Sequence, residues 1–310
     1  MKKVLVASQV DEIAKTFLIQ QGFQVLENNQ ETDNCFDENP EVEAVLLMPI
    51  KFDDNTMNKM PNLKIIARHG VGYDNVSLSA ATQRGILVTN TPGANASSVA
   101  ETALMFLLMS GRQFASKLIN SNTKSLALST GNSFGYELSH KIVGIIGYGN
   151  IGRKIARLLS GFNVKILVNA RHKYVIDNGE MASLVEIYEK ADYIVLALPA
   201  THETTHMINS ATLKLMKKNA VLINVGRGQL IDEDALYSAL INNQIFGAGL
   251  DVTENEPVSA QNPLYSLPNV FLTPHVAGQS REAKENVALE AAKEITRVLN
   301  GSQPKHQVNN

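Results

Sequence analysis

The feature that most constrains the fold is a short apolar run that leads directly into a glycine-rich turn and then into a helix-like segment. The apolar residues 142–146 are followed by Gly147-Tyr-Gly149-Asn-Ile-Gly152, and apolar residues recur at helical spacing over 153–159. A G-x-G-x-x-G pattern that ends a strand and opens a helix is typical of β-α-β units that bind dinucleotides. The sequence therefore predicts a parallel sheet with a nucleotide site at its edge.

Each glycine of this pattern has an expected role. Gly147 permits a tight turn, Gly149 lets the backbone approach a pyrophosphate, and Gly152 lets the helix pack closely on the strand. The first turn of the helix then offers unpaired N–H groups and partial positive charge to the phosphates. The alternative interpretation is three glycines in an ordinary β-α turn.

Short apolar runs alternate with segments of helical period along almost the whole chain. The predicted strands are 4–7, 25–26, 45–48, 63–67, 86–88, 141–146, 164–168, 193–198, 220–225, 245–250 and 270–273. The predicted helices are 10–21, 78–83, 99–108, 151–159, 184–191, 210–217, 232–242 and 281–299. Such alternation predicts an α/β fold of parallel sheets covered on both faces.

The length of 310 residues is sufficient for two domains of ordinary size. We predict a first domain over 1–98 and a dinucleotide-binding domain over 99–281. The segment 282–310, which contains the last predicted helix, is expected to return and complete the first domain.

Composition argues against several classes of protein. A net charge of −2 gives no basic surplus for nucleic acid or an anionic membrane, and no apolar run approaches the ~18 residues of a membrane span. The first residues suit a β-strand better than a signal peptide, because the apolar run after Lys3 is only about five residues long. A single cysteine, Cys35, allows no internal disulfide and suits a reducing cytoplasm. Its acidic neighbours argue against a thiolate nucleophile.

The turn after the second strand of the nucleotide unit bears on the choice of cofactor. NAD sites usually place Asp or Glu about 20 residues after the glycines, where it bonds the ribose hydroxyls. No acidic residue occurs here between positions 137 and 177, whereas Asn169 and Arg171 are followed by His172 and Lys173. An arginine fork grips a 2′-phosphate that a carboxylate would repel. We therefore predict NADPH rather than NADH as the favoured cofactor, with a solvated basic turn as the alternative.

A second motif matches the pattern of a different class of enzyme. The residues His202-Glu-Thr-Thr-His206 fit the H-E-x-x-H pattern of zinc peptidases, which requires a helix so that both imidazoles reach one metal ion. The motif follows an apolar run closed by Pro199 and contains β-branched threonines, which are unfavourable in helix interiors. Asn209 and Thr212 occupy the positions of further residues in the longer peptidase pattern. We expect a loop and no metal site.

Three polar segments follow predicted strands at the edge where α/β sheets place their ligands. They are Asn224-Val-Gly-Arg227-Gly228, Asp251-Val-Thr-Glu-Asn-Glu256-Pro257 and Thr273-Pro-His275-Val-Ala-Gly278. Each segment alone is compatible with a structural role, since single histidines and arginines after strands are common. Their combination indicates a site with a cation, a carboxylate and an imidazole.

Together with the glycine pattern, these segments resemble the D-2-hydroxyacid dehydrogenases over nearly the whole chain. Further matching stretches are Gly70-Val-Gly-Tyr-Asp74-Asn75, Asn90-Thr-Pro-Gly93, Val99-Ala-Glu101 and Leu198-Pro-Ala-Thr-His-Glu-Thr204. The last of these contains the H-E-x-x-H residues, which the resemblance assigns to a loop after a strand. The resemblance implies two Rossmann-like or flavodoxin-like domains with an active site in the cleft between them.

The resemblance also implies a mechanism. Arg227 would hold the carboxylate of a 2-oxo acid, and His275 would give a proton to the carbonyl oxygen as hydride arrives. Glu256 would bond the other imidazole nitrogen and raise the pKa of His275. Backbone N–H groups around Val71 and Gly72 would complete the carboxylate site.

Further cofactor contacts are implied by the same resemblance. Asp251 matches the residue that contacts the nicotinamide carboxamide in the family. The other implied cofactor residues are Asn150, Ile151, Pro199, Val225 and Gly278.

The sequence is compatible with two classes of substrate. The turn at Asn169 and Arg171 resembles that of NADPH-linked glyoxylate/hydroxypyruvate reductases and favours a small 2-oxo acid such as glyoxylate or hydroxypyruvate. Arg68 lies in a loop like that of phosphoglycerate dehydrogenases, where it would contact a phosphate, so D-3-phosphoglycerate dehydrogenase is the alternative. His69 is as compatible with a substrate contact as with a structural role, and His140 is expected at the surface.

Two expectations concern partners. The family usually forms homodimers through the cofactor domain, and residues 100–127 are the expected interface. A dinucleotide-sensing binding protein of the same fold is a second functional class, since such proteins retain similar residues at the site. Peptide binding without turnover would favour that class.

Overall fold

The computed structural model describes residues 1–7, 9–28, 39–114 and 134–309. Cys35 with its acidic neighbours and the part of the expected interface over 115–127 lie outside the described residues. The chain divides into two compact units, an N-terminal unit of Met1–Asn95 with Gln279–Asn310 and a C-terminal unit of Ala96–Gly278.

Each unit is built on a parallel β-sheet. Among the described residues, the N-terminal unit contains β1 (Lys3–Ala7), β2 (Gln24–Asn28), β3 (Val42–Leu47), β4 (Ile65–Arg68) and β5 (Leu87–Thr89), in the order β2-β1-β3-β4-β5. The C-terminal unit contains β6 (Ile142–Ile146), β7 (Lys165–Asn169), β8 (Gly179–Met181), β9 (Tyr193–Leu196), β10 (Val221–Asn224), β11 (Gly247–Leu250) and β12 (Val270–Leu272), in the order β12-β11-β10-β9-β6-β7-β8. The first order is that of flavodoxin-like sheets. Every strand pair within the described ranges is parallel, as the β-α alternation predicted.

Helices cover both faces of the two sheets. They are α1 (Glu12–Gln20), α2 (Asp54–Asn58), α3 (Leu78–Gln83), α4 (Ala96–Gly111), α5 (Asn150–Leu159), α6 (Leu184–Lys190), α7 (Ser210–Leu213), α8 (Glu233–Ile241) and α9 (Arg281–Leu299). No helix in the described ranges is both long enough and apolar enough to cross a lipid bilayer.

The burial pattern of the helices follows from their apolar spacing. In α9 the residues Ala288, Ala291, Ala292 and Ile295 are fully buried and recur at i, i+3, i+4 and i+7. This stripe packs with α1 on one face of the N-terminal sheet. In the C-terminal unit, α4 and α5 cover one face of the sheet, while α6, α7 and α8 cover the other.

The strand order of the C-terminal sheet positions its functional loops. The chain passes from β6 to β7 on one side and reaches β9 on the other side of β6, so the connections diverge at the carboxyl ends of β6 and β9. Ligands of open α/β sheets bind at such a switch point. The glycine loop after β6 lies there.

Three elements differ from the sequence prediction. The helix predicted over 210–217 is wrong beyond Leu213, because Leu215 and Met216 bond carbonyls three residues back and the chain turns toward β10. The edge strand β8 and the five-residue helix α2 were not predicted, since elements this short show no clear periodicity. Asp53 was the available signal for α2, because its side chain caps the helix at Thr56 N (3.1 Å).

Candidate active site and cofactor site

The glycine loop has the geometry that a pyrophosphate requires. Gly147 has φ +98°, and a Cβ added there would lie 2.4 Å from Ala197 O. A Cβ on Gly152 would lie 2.1 Å from Gly147 O, so neither position accepts a side chain. A Cβ on Gly149 would meet nothing within 4 Å, so its backbone faces open space at the first turn of α5. The loop and the helix N-terminus therefore fit a dinucleotide phosphate.

Asn150 and Ile151 are the first two residues of α5, so their N–H groups belong to the unbonded first turn of the helix. The Asn150 side chain accepts a hydrogen bond from Arg153 Nη2 at 3.1 Å. Both predicted cofactor residues thus lie beside the glycine loop.

The predicted basic turn follows the carboxyl end of β7. Asn169 is the last residue of the strand, and its side chain donates to Ala182 O at 2.9 Å. Arg171, His172 and Lys173 are exposed in the turn that follows. The ring of Tyr174 packs edge-on against Tyr148 of the glycine loop, with centroids 5.2 Å apart, which ties the basic turn to the phosphate loop.

The loop after β9 is not a zinc-peptidase helix. Residues 202–206 form a turn, as the sequence predicted, and Thr204 Oγ1 donates to Pro199 O at 3.0 Å. The two imidazoles therefore do not share a helix face. His206 Nε2 instead lies 2.5 Å from Glu254 Oε1.

A buried asparagine shapes the turn that carries Arg227. Asn224 is fully buried at the end of β10, where its Nδ2 donates to Arg227 O (2.9 Å) and its Oδ1 accepts from Gly226 N (3.0 Å). The Arg227 side chain donates through Nη1 to Gly226 O at 2.7 Å. Val225 lies inside this turn and is buried.

Asp251 organises the segment that follows β12. Its buried carboxylate accepts hydrogen bonds from Thr273 Oγ1 (2.7 Å), Val276 N (2.8 Å) and Ala277 N (2.9 Å). His275 N also donates to Asp251 O at 2.7 Å. Asp251 therefore fixes the backbone from His275 to Ala277 and holds the Thr273 side chain, and its contact with the nicotinamide stays a prediction. Gly278 follows at the end of the same segment.

His275 and Glu256 form the pair that the sequence suggested. His275 Nδ1 lies 2.7 Å from Glu256 Oε2, and Glu256 Oε1 accepts from Thr253 N at 3.3 Å. The backbone of His275 is left-handed, with φ +54°. The carboxylate thus contacts one of the two ring nitrogens, Nδ1.

Each member of this pair shifts the pKa of the other. The hydrogen bond to Glu256 raises the pKa of His275, helped by the charges of Glu256 and Asp251 and opposed by burial and by Arg227. Burial opposes ionisation of Glu256, but the hydrogen bond and charge of His275 outweigh it and lower the pKa of that carboxyl. The pair therefore favours imidazolium beside carboxylate.

The predicted substrate loop belongs to the N-terminal unit. Arg68 ends β4, and its guanidinium donates to Asn75 Oδ1 (3.1 Å) and to His69 O. The carbonyl of Val71 accepts from Asn90 Nδ2 at 2.7 Å, so the loop that continues to Gly72 is anchored. Burial, followed by the charge of Arg68, lowers the pKa of His69 to about 4.

The remaining histidine singled out by the sequence, His140, is an exposed residue with φ +59°. Its ring nitrogens lie 3.2 and 3.3 Å from Asn163 Nδ2. This position agrees with the surface role expected from the sequence.

Two features of the site were not predicted. Asn224 had no predicted role, although a polar residue that ends an apolar strand before Val-Gly-Arg was a usable signal. The contact of His206 with Glu254 joins residues 48 positions apart, so no local pattern indicated it.

The comparisons with known proteins establish the family of this chain. Residues 102–277 match the model of the D-isomer specific 2-hydroxyacid dehydrogenase, NAD binding domain. The chain is 39% identical to a glyoxylate reductase of Pyrococcus furiosus, over 86% of this chain and 81% of that protein. It is 36% identical to a glyoxylate reductase of Pyrococcus horikoshii, over 99% and 96% of the two proteins.

Solved structures agree with this assignment. An NADPH-dependent glyoxylate/hydroxypyruvate reductase of Sinorhizobium meliloti, solved with NADP and malonate, superposes with a TM-score of 0.86 at 30% identity, covering 99% of this chain and 96% of that one. D-2-hydroxyisocaproate dehydrogenase superposes with a TM-score of 0.90 at 25% identity, covering 99% and 100%.

The fold and the site define a nicotinamide-dinucleotide-dependent oxidoreductase that acts on the CH–OH group of 2-hydroxy acids. The chain belongs to the D-isomer-specific 2-hydroxyacid dehydrogenase family.

Proposed function

We propose that this enzyme reduces small unphosphorylated 2-oxo acids, such as glyoxylate or hydroxypyruvate, and that NADPH is its preferred cofactor. The observation that carries the chemistry is the 2.7 Å contact between His275 Nδ1 and Glu256 Oε2. This contact orients the imidazole and keeps it protonated, which is the state that ketone reduction requires.

Arg227 binds and orients the substrate carboxylate, and its positive charge helps to polarise the adjacent ketone. The reduced nicotinamide, when bound, supplies the hydride to the carbonyl carbon. His275 donates the proton on Nε2 to the carbonyl oxygen, so that a hydroxyl group forms and the imidazole becomes neutral. In the reverse direction the neutral imidazole takes the hydroxyl proton back, while Glu256 stabilises the resulting imidazolium.

The cofactor is held by the glycine loop and the turn after β7. The backbone at Gly149 and the first turn of α5 bind the pyrophosphate, whereas Asn169 and Arg171 bind the 2′-phosphate of the adenosine ribose. Pro199, Val225, Asp251 and Gly278 belong to the same site in this proposal. The exposure of Arg171 beside the phosphate loop supports it.

A charge-matched pair of variants tests the cofactor preference. Arg171→Ala should raise the KM for NADPH about 10–100-fold and leave the KM for NADH almost unchanged, because charge-assisted hydrogen bonds are typically worth about 1.5–3 kcal/mol. Arg157→Ala removes the same charge from the last turn of α5 and serves as the control. Equal KM values for the two cofactors in the unsubstituted enzyme contradict the preference.

On the substrate side, we propose that the backbone at Val71 and Gly72 contributes to carboxylate binding. The donation of Arg68 to Asn75 and His69 within its own loop supports a small substrate over a phosphorylated one. Phosphoglycerate dehydrogenase activity is the alternative, and Arg68 is the residue on which it would depend.

We also propose that the enzyme is a cytoplasmic homodimer. Helix α4 exposes Met105 and Leu108, at 41% and 38%, on the segment that the sequence predicted as the subunit interface. A single cysteine suits a reducing compartment. Light scattering that gives the mass of one chain would contradict the dimer.

The first experiment measures initial rates of NADPH and NADH oxidation with glyoxylate, hydroxypyruvate and phosphohydroxypyruvate. Fast NADPH oxidation with the unphosphorylated acids supports the proposal. Activity confined to phosphohydroxypyruvate with NADH selects the alternative and makes Arg68→Ala the next variant. Tight cofactor binding and peptide capture without turnover would instead favour a dinucleotide sensor.

A further inference from the structure

A second imidazole–carboxylate pair lies in the C-terminal unit, outside the proposed catalytic residues. His206, on the loop after β9, places Nε2 2.5 Å from Oε1 of Glu254, on the loop after β11. Glu254 is two residues before Glu256, the carboxylate that orients His275. The pair therefore links a loop with no proposed proton-transfer role to the loop that carries the catalytic carboxylate.

The backbone of Glu254 is anchored from two further directions. Its N–H donates to Glu233 Oε1 at 2.6 Å, at the first turn of α8, and its carbonyl accepts from Gln229 Nε2 at 3.3 Å. Within the same loop, Thr253 Oγ1 donates to Asn255 O at 2.9 Å. The Glu254 side chain then adds a direct contact to the loop after β9, through His206.

The loop after β9 is in turn bonded to the segment that follows Arg227. His206 N donates to Gln229 O (2.8 Å), and Ile208 N donates to Leu230 O (3.0 Å). Gly228 approaches the Glu256 loop so closely that a Cβ there would lie 1.8 Å from Thr253 O. The Arg227 turn thus lies between the two loops that His206 and Glu254 join.

We propose that His206 is a positioning residue: through Glu254 it holds the Glu256 loop against the Arg227 turn and so sets the Glu256–His275 geometry. This inference rests on the proposed function of those three residues. Arg227 supplies the cation, and Glu256 keeps His275 protonated. Their mutual placement depends on three loops that are separate in sequence. Through Glu254, His206 connects the Glu256 loop to a fourth loop that carries none of the three residues.

The backbone conformation decides which substitution tests this proposal. His206 has φ +50°, a left-handed conformation that costs most side chains energy and that Asn adopts more readily than others. His206→Asn therefore shortens the side chain beyond reach of Glu254 with little backbone strain. Glu254→Ala removes the other partner, while Glu254→Gln keeps an oxygen that accepts a hydrogen bond. His202→Asn, on the exposed part of the same loop, is the matched control.

The decisive measurement is the pKa of the His275 imidazole, followed by NMR in protein with labelled histidine and assigned with a His275→Asn sample. Among the described residues, Glu256, Asp251 and Arg227 are the charged groups with the largest effects on the pKa of this imidazole. In His206→Asn and Glu254→Ala we expect a lower His275 pKa than in the unsubstituted enzyme, because the Glu256 contact loosens. In Glu254→Gln and His202→Asn we expect no change.

Kinetics give a second, independent result. We expect kcat for reduction to fall about tenfold in His206→Asn and in Glu254→Ala, since small misplacements of catalytic groups are costly, with the KM for NADPH unchanged. The double variant should fall no further than either single variant, because both break one contact. A structural role alone would lower the melting temperature without moving the His275 pKa.

An unchanged His275 pKa in both single variants would overturn the proposal, as would a double variant whose loss in kcat is the product of the single losses. The NMR result does not depend on turnover. An enzyme that reduces none of the 2-oxo acids but shows the pKa shift would therefore refute the proposed function while leaving the positioning role supported. An active enzyme without the shift would do the reverse.

Discussion

Two imidazole–carboxylate pairs in the C-terminal unit invite comparison, because they share residue types and much of their geometry. His275 meets Glu256 at 2.7 Å, and His206 meets Glu254 at 2.5 Å. Both histidines have left-handed backbones, and the two glutamates are separated by one residue. The pairs differ locally in one respect: Glu256 contacts Nδ1 of His275, whereas Glu254 contacts Nε2 of His206.

The surroundings of the pairs differ. Beside His275, the buried carboxylate of Asp251 accepts hydrogen bonds from the backbone N–H groups of the next two residues. Arg227 is near enough to lower the pKa of His275. His206 lies in a turn that bonds the segment after Arg227. The different roles proposed for the two pairs therefore rest on the charged groups and backbone around each pair, as well as on the ring nitrogen that the carboxylate contacts.

The largest expected effect comes from His275→Gln. This change removes the proton donor but keeps a polar side chain of similar reach, so kcat for 2-oxo acid reduction should fall about 10²–10⁴-fold. Steady-state oxidation of NADPH measures the loss, and fluorescence titration should give an unchanged Kd for NADPH.

A loss of activity in His206→Asn as large as that in His275→Gln would contradict the different roles proposed for the two imidazoles. Such a result would mean that both imidazoles take part in proton transfer. Full activity of His275→Gln would refute its role as the acid.

A smaller effect is expected from Glu256→Gln, which keeps an oxygen that accepts from His275 Nδ1 but removes the negative charge. The pKa of His275 should fall, because Glu256 is the main group that raises it. Reduction requires imidazolium, which is present below that pKa, so the decline of the reduction rate should move to lower pH. At neutral pH the loss should be about 10–100-fold, as expected for an acid that is mostly deprotonated.

The pH profiles of kcat for reduction and for oxidation test whether the pKa of His275 falls as expected. Oxidation of a 2-hydroxy acid requires neutral imidazole, so its rise should also move to lower pH in Glu256→Gln. Glu254→Gln is the matched control and should leave both profiles in place. Shifts of equal size in the two variants would remove the distinction between the pairs.

Asn224→Ala should distinguish the contribution of the Arg227 turn from the contributions of the two imidazole–carboxylate pairs. The substitution removes two hydrogen bonds from a fully buried side chain, so the free energy of unfolding should fall by about 1–3 kcal/mol. We expect the KM for the 2-oxo acid to rise more than kcat falls, because Arg227 binds the substrate carboxylate. Urea unfolding and steady-state rates measure the two effects, and a shifted His275 pKa in this variant would contradict the separation.

The smallest expected effect is on stability as a function of pH. The pKa of His275 is raised from 6.5, so its contribution is complete below pH 6.5 and is lost as pH rises through the folded value. The pKa of Glu256 is lowered from 4.5, so its contribution is complete above pH 4.5 and is lost as pH falls through the folded value. The melting temperature of the unsubstituted enzyme should therefore exceed that of Glu256→Gln most clearly between pH 4.5 and 6.5.

The difference should be about a degree or two, because the pair is partly exposed and solvent screens it. Thermal melting across pH 4 to 8 measures it. A difference that is constant across this range would show that the pair contributes through packing and not through charge.

Much of the fold was predictable because it depends on periodicity and on local steric rules. The β-α alternation predicted two parallel sheets, and α9 begins and ends where its periodicity and the Ser280 cap place it. The glycines at 147 and 152 were predictable because no side chain fits at these positions. Short elements such as α2 and β8 were missed, since a few residues carry too little periodicity to stand out.

The fold class, the phosphate loop and the segments that carry Arg227, Glu256 and His275 were predictable from the sequence, because all of these follow from local patterns of a few residues. The contacts between side chains of different loops were visible only in the three-dimensional structure. It paired His206 with Glu254 across 48 positions and turned the carboxylate of Asp251 onto the backbone around His275. Such contacts depend on how loops from neighbouring strands fold over one another, and that arrangement leaves no periodic signal in the chain.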